Sequence, residues 1–145
     1  MRSEPHERFS SRTILTEADI AGFATACGDR NPLHHDREFA RRSRYGGIIA
    51  SGPQTSALLM GLVATHFSRS GPIVGVEFTF YFRAPVHANE SLDLEWLVIR
   101  VSPTSRRSSE LVELRGRLRT AAGVTAVGSK GTVLLASPSL SSPAA

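Results

Sequence analysis

The sequence predicts an α+β domain in which an antiparallel β-sheet wraps around one central, buried α-helix. Three observations carry this expectation. From Ala57 to Ala64 the chain is apolar on nearly every side of a helix, interrupted only by Gly61, and the run is too short to cross a bilayer. After the turn-forming SRSGP of residues 68–72 the hydrophobic period changes to two and stays there. With 145 residues the chain is long enough to bury a core of ordinary proportions without disulfide or metal staples.

Taken in order, residues 1–12 are polar and are expected to be a flexible N-terminal segment, 13–136 to form the single domain, and 137–145, SPSLSSPAA, to be a flexible C-terminal tail. Thr16 is placed to cap a first helix, with Asp19 three residues on and Ile20, Phe23, Ala24 and Cys27 at helical spacing before Gly28. Residues 29–51 read as a mostly irregular overhang, because Asn31-Pro32 disfavours helix and Gly46-Gly47 breaks it; DREFARRSR between them can add a turn or two. Gly52 before Pro53 then resembles the start of the apolar helix. In the strand that follows, Val76, Phe78, Phe80 and Phe82 share one face, with Glu77, Thr79, Tyr81 and Arg83 on the other. SLDLEWLVIRV, SSELVELRGRLRT and TAVGSKGTVLLA supply three more strands.

Composition narrows the functional classes. Hydrophobic residues at 41% and charged residues at 21% are those of a folding globular chain and not of a disordered one. One cysteine, Cys27, cannot form an internal disulfide, and no N-terminal stretch has the apolar centre of a signal peptide; the expected compartment is the cytoplasm, with no membrane partner. The net charge of +4 and pI near 10.2 leave an anionic partner open, but the basic clusters lack interleaved aromatics and no zinc-finger or RNP-type motif occurs, which argues against nucleic acid. A metal site in HHD is disfavoured as well, since adjacent side chains diverge and the usual ligand spacings are missing.

The stretch GDRNPLHHD, Gly28 to Asp36, concentrates the candidate chemistry. Asp29 and His34 lie five residues apart across an Asn-Pro turn, a spacing that lets a folded loop bring a carboxylate and an imidazole to one water. Taken alone, Asp29 is equally a turn residue at a helix C-terminus and His34 a satisfied loop histidine. Asn31 is a turn former or a hydrogen-bonding support, and His35 and Asp36 read as bystanders.

These residues, together with GGIIASGPQTSALLMG, resemble the MaoC-like dehydratases, or (R)-specific enoyl-CoA hydratases, of the hot-dog fold, over roughly Thr13 to Leu135. The resemblance implies that Asp29 and His34, the aspartate and histidine of D-x-N-P-x-H, are the catalytic pair. It also implies that Gly52, opening the central helix, gives its backbone N–H to the substrate carbonyl. The chain departs from the pattern at two positions: Ser51 stands where the family often has histidine, and Met60 where some members have serine. Asn31, Ser51, Gly52 and Met60 are therefore the candidate substrate-binding positions, Met60 as part of the acyl pocket.

What the resemblance implies for function is reversible hydration of the double bond of an acyl-CoA, with coenzyme A as part of the substrate and no separate cofactor. It also implies a homodimer or larger homo-oligomer with the thioester near the subunit interface. The arginines Arg41, Arg42, Arg44, Arg83, Arg106 and Arg107 are candidates, as a group, for the phosphates of coenzyme A. Two rival readings stay open: a hot-dog acyl-CoA thioesterase, and a non-catalytic acyl-CoA-binding or partner subunit.

Overall fold

The computed structural model describes residues 3–106 and 108–136. Five strands form one antiparallel sheet: β1 (Arg8–Ile14), β2 (Ile73–Phe82), β3 (Ser91–Pro103), β4 (Glu110–Arg119) and β5 (Thr125–Leu135), in the spatial order β1-β3-β4-β5-β2. Helices α1 (Glu17–Cys27) and α2 (Arg37–Arg42) precede α3 (Gly52–Ser68), and α3 lies against the sheet. The helix cradled by an antiparallel sheet is the predicted architecture. No helix among the described residues is long and apolar enough to cross a membrane.

The core is built where alternation in the strands meets the helical period of α3. Leu92, Leu94, Trp96 and Val98 of β3, Val112, Leu114 and Leu118 of β4, and Val133 and Leu135 of β5 point inward, onto Leu59, Val63 and Phe67 of α3. Trp96 joins the two layers directly. Its buried indole N–H donates to the carbonyl of Leu59 at 2.9 Å, so the polar atom of this large ring is satisfied inside the core. The ring has room because its partner across the strands is Gly116, where an added Cβ would fall 2.6 Å from it.

Strand β1 takes up residues 8–12 of the segment expected to be flexible. Its sequence, RFSSRTI, has no hydrophobic alternation, and its residues are mostly exposed. As an edge strand it needs only main-chain pairing with β3, from Arg8↔Leu97 to Ile14↔Ser91, together with the cross-strand ion pairs Arg8–Glu95 and Arg12–Asp93. The predicted tail 137–145 lies outside the described residues.

Just before β1, Glu7 fastens this edge to the far end of α3. Its carboxylate is 2.6 Å from His66 Nε2, and the His66 ring stacks on Phe9 at 3.9 Å between centroids. Burial works against the charged form of Glu7. Hydrogen bonds from His66, Ser3 and the Glu4 N–H outweigh it, and the carboxyl sits below its ordinary value of 4.5. A depressed carboxylate adds stability that is complete above the unfolded pKa and disappears as pH falls through the folded one. Urea midpoints measured from neutral pH to below pH 4.5 are therefore expected to fall more steeply for the native chain than for Glu7→Gln. Parallel profiles would remove Glu7 from the acid response.

Two further differences bear on function. In β2 the register against β5 slips between Gly75 and Glu77, so Val76 is the extra residue of a bulge and leaves the face expected to be shared with Phe78, Phe80 and Phe82. Phe78 and Phe80 pack against the core, whereas Val74, Val76 and Phe82 are exposed. The second difference is that α3 is covered on one side only within this chain. Met60 is 40% exposed, and with Gly61, Ala64, Ile73 and Phe78 it lines a shallow apolar groove beside the edge strand β2.

Candidate active site

The overhang between α1 and α3 is organised by short-range capping. Helix α1 opens with the capping box expected from the sequence: Asp19 N–H donates to Thr16 Oγ1 at 3.0 Å, and Thr16 N–H to the Asp19 carboxylate at 2.9 Å. It closes at Gly28, whose φ of 74° is the left-handed conformation that favours glycine there. Asp29 is the first residue beyond the helix, fixed by its N–H donating to the carbonyl of Ala24 at 2.8 Å. Asn31 then starts a 3₁₀ turn over Pro32–His34, with its side-chain oxygen accepting from the Leu33 N–H. The same turn aims Asp29, because Asn31 N–H donates to Asp29 Oδ1 at 2.9 Å.

The turn brings the two candidate catalytic groups together. His34 is buried, 5% exposed, and its Nε2 stands 3.6 Å from Asp29 Oδ2. That separation is too long for a direct hydrogen bond and suits a bridging water. His34 Nδ1 lies 2.7 Å from the carbonyl oxygen of Ile49. A carbonyl can only accept, so Nδ1 carries a proton, and in the neutral ring the lone pair is left on Nε2, toward Asp29. Carboxylate oxygen and imidazole nitrogen then form a pair of acceptors on either side of one gap.

The bystander reading of His35 and Asp36 is refined by their contacts. His35 Nε2 donates to the carbonyl oxygen of Asp29 at 2.7 Å and so holds the backbone that carries the carboxylate. Asp36 caps α2 by accepting from the Phe39 N–H at 3.0 Å.

Ile49 links this loop to the start of α3. Besides accepting from His34, it donates its N–H to the Leu33 carbonyl at 3.3 Å, while Ala50 N–H donates to Val86 and Ala88 N–H to Ile48. The chain entering α3 is thereby pinned between the Asp29–His34 turn and the segment leading into β3. Nothing in the sequence at Ile49 signals this role, since the bonds involve only its backbone.

Ser51 caps α3: its buried side chain accepts from the Gln54 N–H at 3.3 Å. Pro53 has no N–H, and Gln54 and Thr55 both donate to Ser51. Among the described residues the Gly52 N–H is thus the donor of the first turn that lacks an internal partner, at the positive end of a 17-residue helix. Gly52 opens onto a depression of about 290 Å³ whose floor includes the buried residues Ile49, Thr55, Val86 and Val127. An added Cβ at Gly52 would lie 3.1 Å from the Phe82 ring.

The structure does not gather every expected position. Asp29 opens into a separate depression with Thr25, Gly28, Arg30 and Pro32, so one chain does not place it and Gly52 in the same pocket. Met60 lies eight residues into α3, roughly 12 Å along the axis from Gly52 at the usual helical rise, and faces the apolar groove beside β2. Asn31 is exposed and serves the turn. Of the arginines, Arg41 and Arg42 both pair with Glu38, Arg106 is exposed, and Arg107 lies outside the described residues. Arg44 and Arg83 line the Gly52 depression.

A helix cradled by a five-stranded antiparallel sheet, with an acid and an imidazole paired on the overhang between the helices, defines a hot-dog domain. Residues 3–116 match the family model described as MaoC like domain, and the chain belongs to that family. It is similar to the 3-hydroxybutyryl-CoA dehydratase of Methylorubrum extorquens, with 33% identity over 94 residues covering 65% of this chain and 59% of that protein. It is also similar to a mitochondrial 3-hydroxyacyl-[acyl-carrier-protein] dehydratase of Arabidopsis thaliana, with 28% identity over 79 residues, 54% of this chain and 46% of that one. The chain spans about half the length of these two curated relatives. Among solved structures, the unliganded R-hydratase of Pseudomonas aeruginosa superimposes with a TM-score of 0.83 at 26% identity, over 93% of this chain and 83% of that one.

Proposed function

We propose that the protein adds water reversibly to the double bond of a 2-enoyl thioester carried on coenzyme A, giving the 3-hydroxyacyl thioester. The observation that carries this reading is the Asp29–His34 pair, 3.6 Å apart, with Nδ1 of His34 committed to Ile49. In this reading a water in the gap donates one hydrogen to each acceptor and turns a lone pair toward Cβ. As its oxygen bonds to Cβ, the electron pair of the double bond moves toward the thioester oxygen. The Gly52 N–H stabilises the enolate that develops there. One proton passes from the water to the pair and one returns from the pair to Cα, so the net change is addition of H and OH. Removal of water runs the same steps backward.

A second copy of the chain belongs to this proposal. Asp29 and Gly52 open into separate depressions of one chain, and β2 is a free sheet edge flanked by the uncovered side of α3. Pairing two β2 edges would cover Val74, Val76 and Met60 and bring a second surface to the site. Val76→Lys places a charge on that edge and is expected to convert a dimer to monomer at micromolar concentration in sedimentation velocity. An unchanged sedimentation coefficient would place the interface elsewhere.

The reaction itself is tested with crotonyl-CoA and a longer 2-enoyl-CoA, following loss of the conjugated absorbance alongside free thiol. Loss of absorbance without thiol is expected. Thiol release without hydration would identify a thioesterase, and no turnover of a broad enoyl-CoA panel would identify a binding subunit.

A further inference from the structure

We propose that Arg44 and Arg83 form a phosphate clamp at the mouth of the Gly52 depression and make the protein prefer thioesters of coenzyme A over those of a carrier protein; this rests on the hydration reading above. The arginines of this chain divide into those with a carboxylate partner and those without. Arg8, Arg12, Arg37, Arg41, Arg42, Arg100 and Arg117 each pair with a carboxylate. Arg30, Arg44, Arg69, Arg83, Arg106, Arg115 and Arg119 have no carboxylate within ion-pair distance among the described residues, and of these only Arg44 and Arg83 line the depression onto which Gly52 opens. Two uncompensated guanidinium groups at one opening attract an anion, and their planar donor sets match phosphate oxygens.

Their setting is built and not incidental. Each guanidinium lies over an aromatic ring, Arg44 over Tyr45 at 5.3 Å and Arg83 over Tyr81 at 5.8 Å from the centroid, which restricts a flexible side chain without consuming its charge. The backbones are fixed as well. Arg83 N–H donates to the carbonyl of Ala126 at 2.8 Å, and next to Arg44 the carbonyl of Tyr45 accepts from His87 Nε2 at 2.7 Å. The depression also has the polarity order that a thioester on coenzyme A presents. Its floor is buried and mainly apolar, the Gly52 donor lies along it, and the two arginines are exposed at its margin.

Coenzyme A and a carrier protein share a phosphate at the end of the pantetheine arm. Coenzyme A adds a second phosphate in the diphosphate and a third on the ribose, and a pair of arginines is suited to that denser charge. The test compares kcat/KM for crotonyl-CoA, crotonyl-phosphopantetheine and crotonyl-pantetheine in the native chain, Arg44→Ala, Arg83→Ala and Arg115→Ala. Arg115 is an exposed arginine outside the depression and controls for net charge. The preference for crotonyl-CoA over crotonyl-pantetheine is expected to fall about tenfold in each of the first two variants, the loss of one charge-assisted contact, and to hold in Arg115→Ala. An unchanged preference in Arg44→Ala and Arg83→Ala would overturn the clamp, as would an equal fall in Arg115→Ala. Equal use of crotonyl-CoA and crotonyl-phosphopantetheine by the native chain would overturn the assignment to the additional phosphates of coenzyme A. If the native chain hydrates none of the three, the hydration reading fails, and titration calorimetry with coenzyme A decides the clamp separately. Tenfold weaker binding in the two variants supports it, and equal or absent binding overturns it.

Discussion

Asp29→Asn is expected to lower kcat for enoyl-CoA hydration by about 10²–10⁴-fold, the usual contribution of a positioned acid or base. The substitution leaves the loop intact. Asparagine keeps an oxygen to accept from the Asn31 N–H, and the backbone bonds from Asp29 to Ala24 and from His35 to Asp29 do not involve the side chain's charge. What changes is the gap. The amide NH₂ of asparagine would face His34 Nε2 and donate to it, closing the 3.6 Å gap between the two acceptors in which the proposed water would sit. His34→Asn is the complementary variant and is expected to lose activity to a similar extent. Its amide nitrogen can replace Nδ1 as donor to the Ile49 carbonyl, while nothing replaces Nε2. His34→Ala would mix two effects, because it would leave that carbonyl without its partner in a buried site. Circular dichroism and urea midpoints close to the native values, together with the loss of kcat, would separate chemistry from folding.

The second large effect concerns the Gly52 N–H. Gly52→Pro removes this donor while respecting the local backbone: proline is well accommodated at the first position of a helix, and Ser51 before it already has the extended conformation that a following proline requires, φ −74° and ψ 153°. The loss expected in kcat is about 10²–10³-fold, that of one oxyanion donor. Gly52→Ala is the control. It keeps the N–H and introduces the same first carbon, 3.1 Å from Phe82, an exposed ring at the end of β2 that can shift. Activity should be largely retained in Gly52→Ala and lost in Gly52→Pro. Equal losses in both would assign the effect to Phe82 and the shape of the depression, and would remove the donor from the mechanism.

Most of the fold was legible because its signals are local and periodic. The Thr16/Asp19 capping box, the stop at Gly28, the start of α3 at Ser51-Gly52-Pro53 and the four strands β2 to β5 each rest on spacing within a few residues. The Asp29–His34 pair was legible only through the resemblance carried by D-x-N-P-x-H, because a separation of five residues across an Asn-Pro turn permits the contact without requiring it. Strand β1 was not legible, because an edge strand bonded through its backbone needs no hydrophobic pattern. Val76 departs from the face expected to be shared with Phe78, Phe80 and Phe82 because a bulge breaks the two-residue period without any sign in the side chains themselves. The all-apolar character of α3 was read as burial inside one chain, whereas one side of it is uncovered there. A hydrophobic pattern states that a surface is apolar, not what covers it. The roles of Ile49 and His35 are not visible in the sequence because their contacts to His34 and Asp29 each use a main-chain carbonyl brought into place by the fold.

In the proposed reaction Asp29 and His34 together handle the proton of an attacking water. This role is tested most directly by single-turnover hydration of crotonyl-CoA by the native chain, Asp29→Asn and His34→Asn, with loss of the enoyl absorbance followed at matched, saturating enzyme. Rapid loss of absorbance without thiol release is expected in the native chain, and a step slower by about 10²-fold or more in each variant. Native rates in either variant would contradict it.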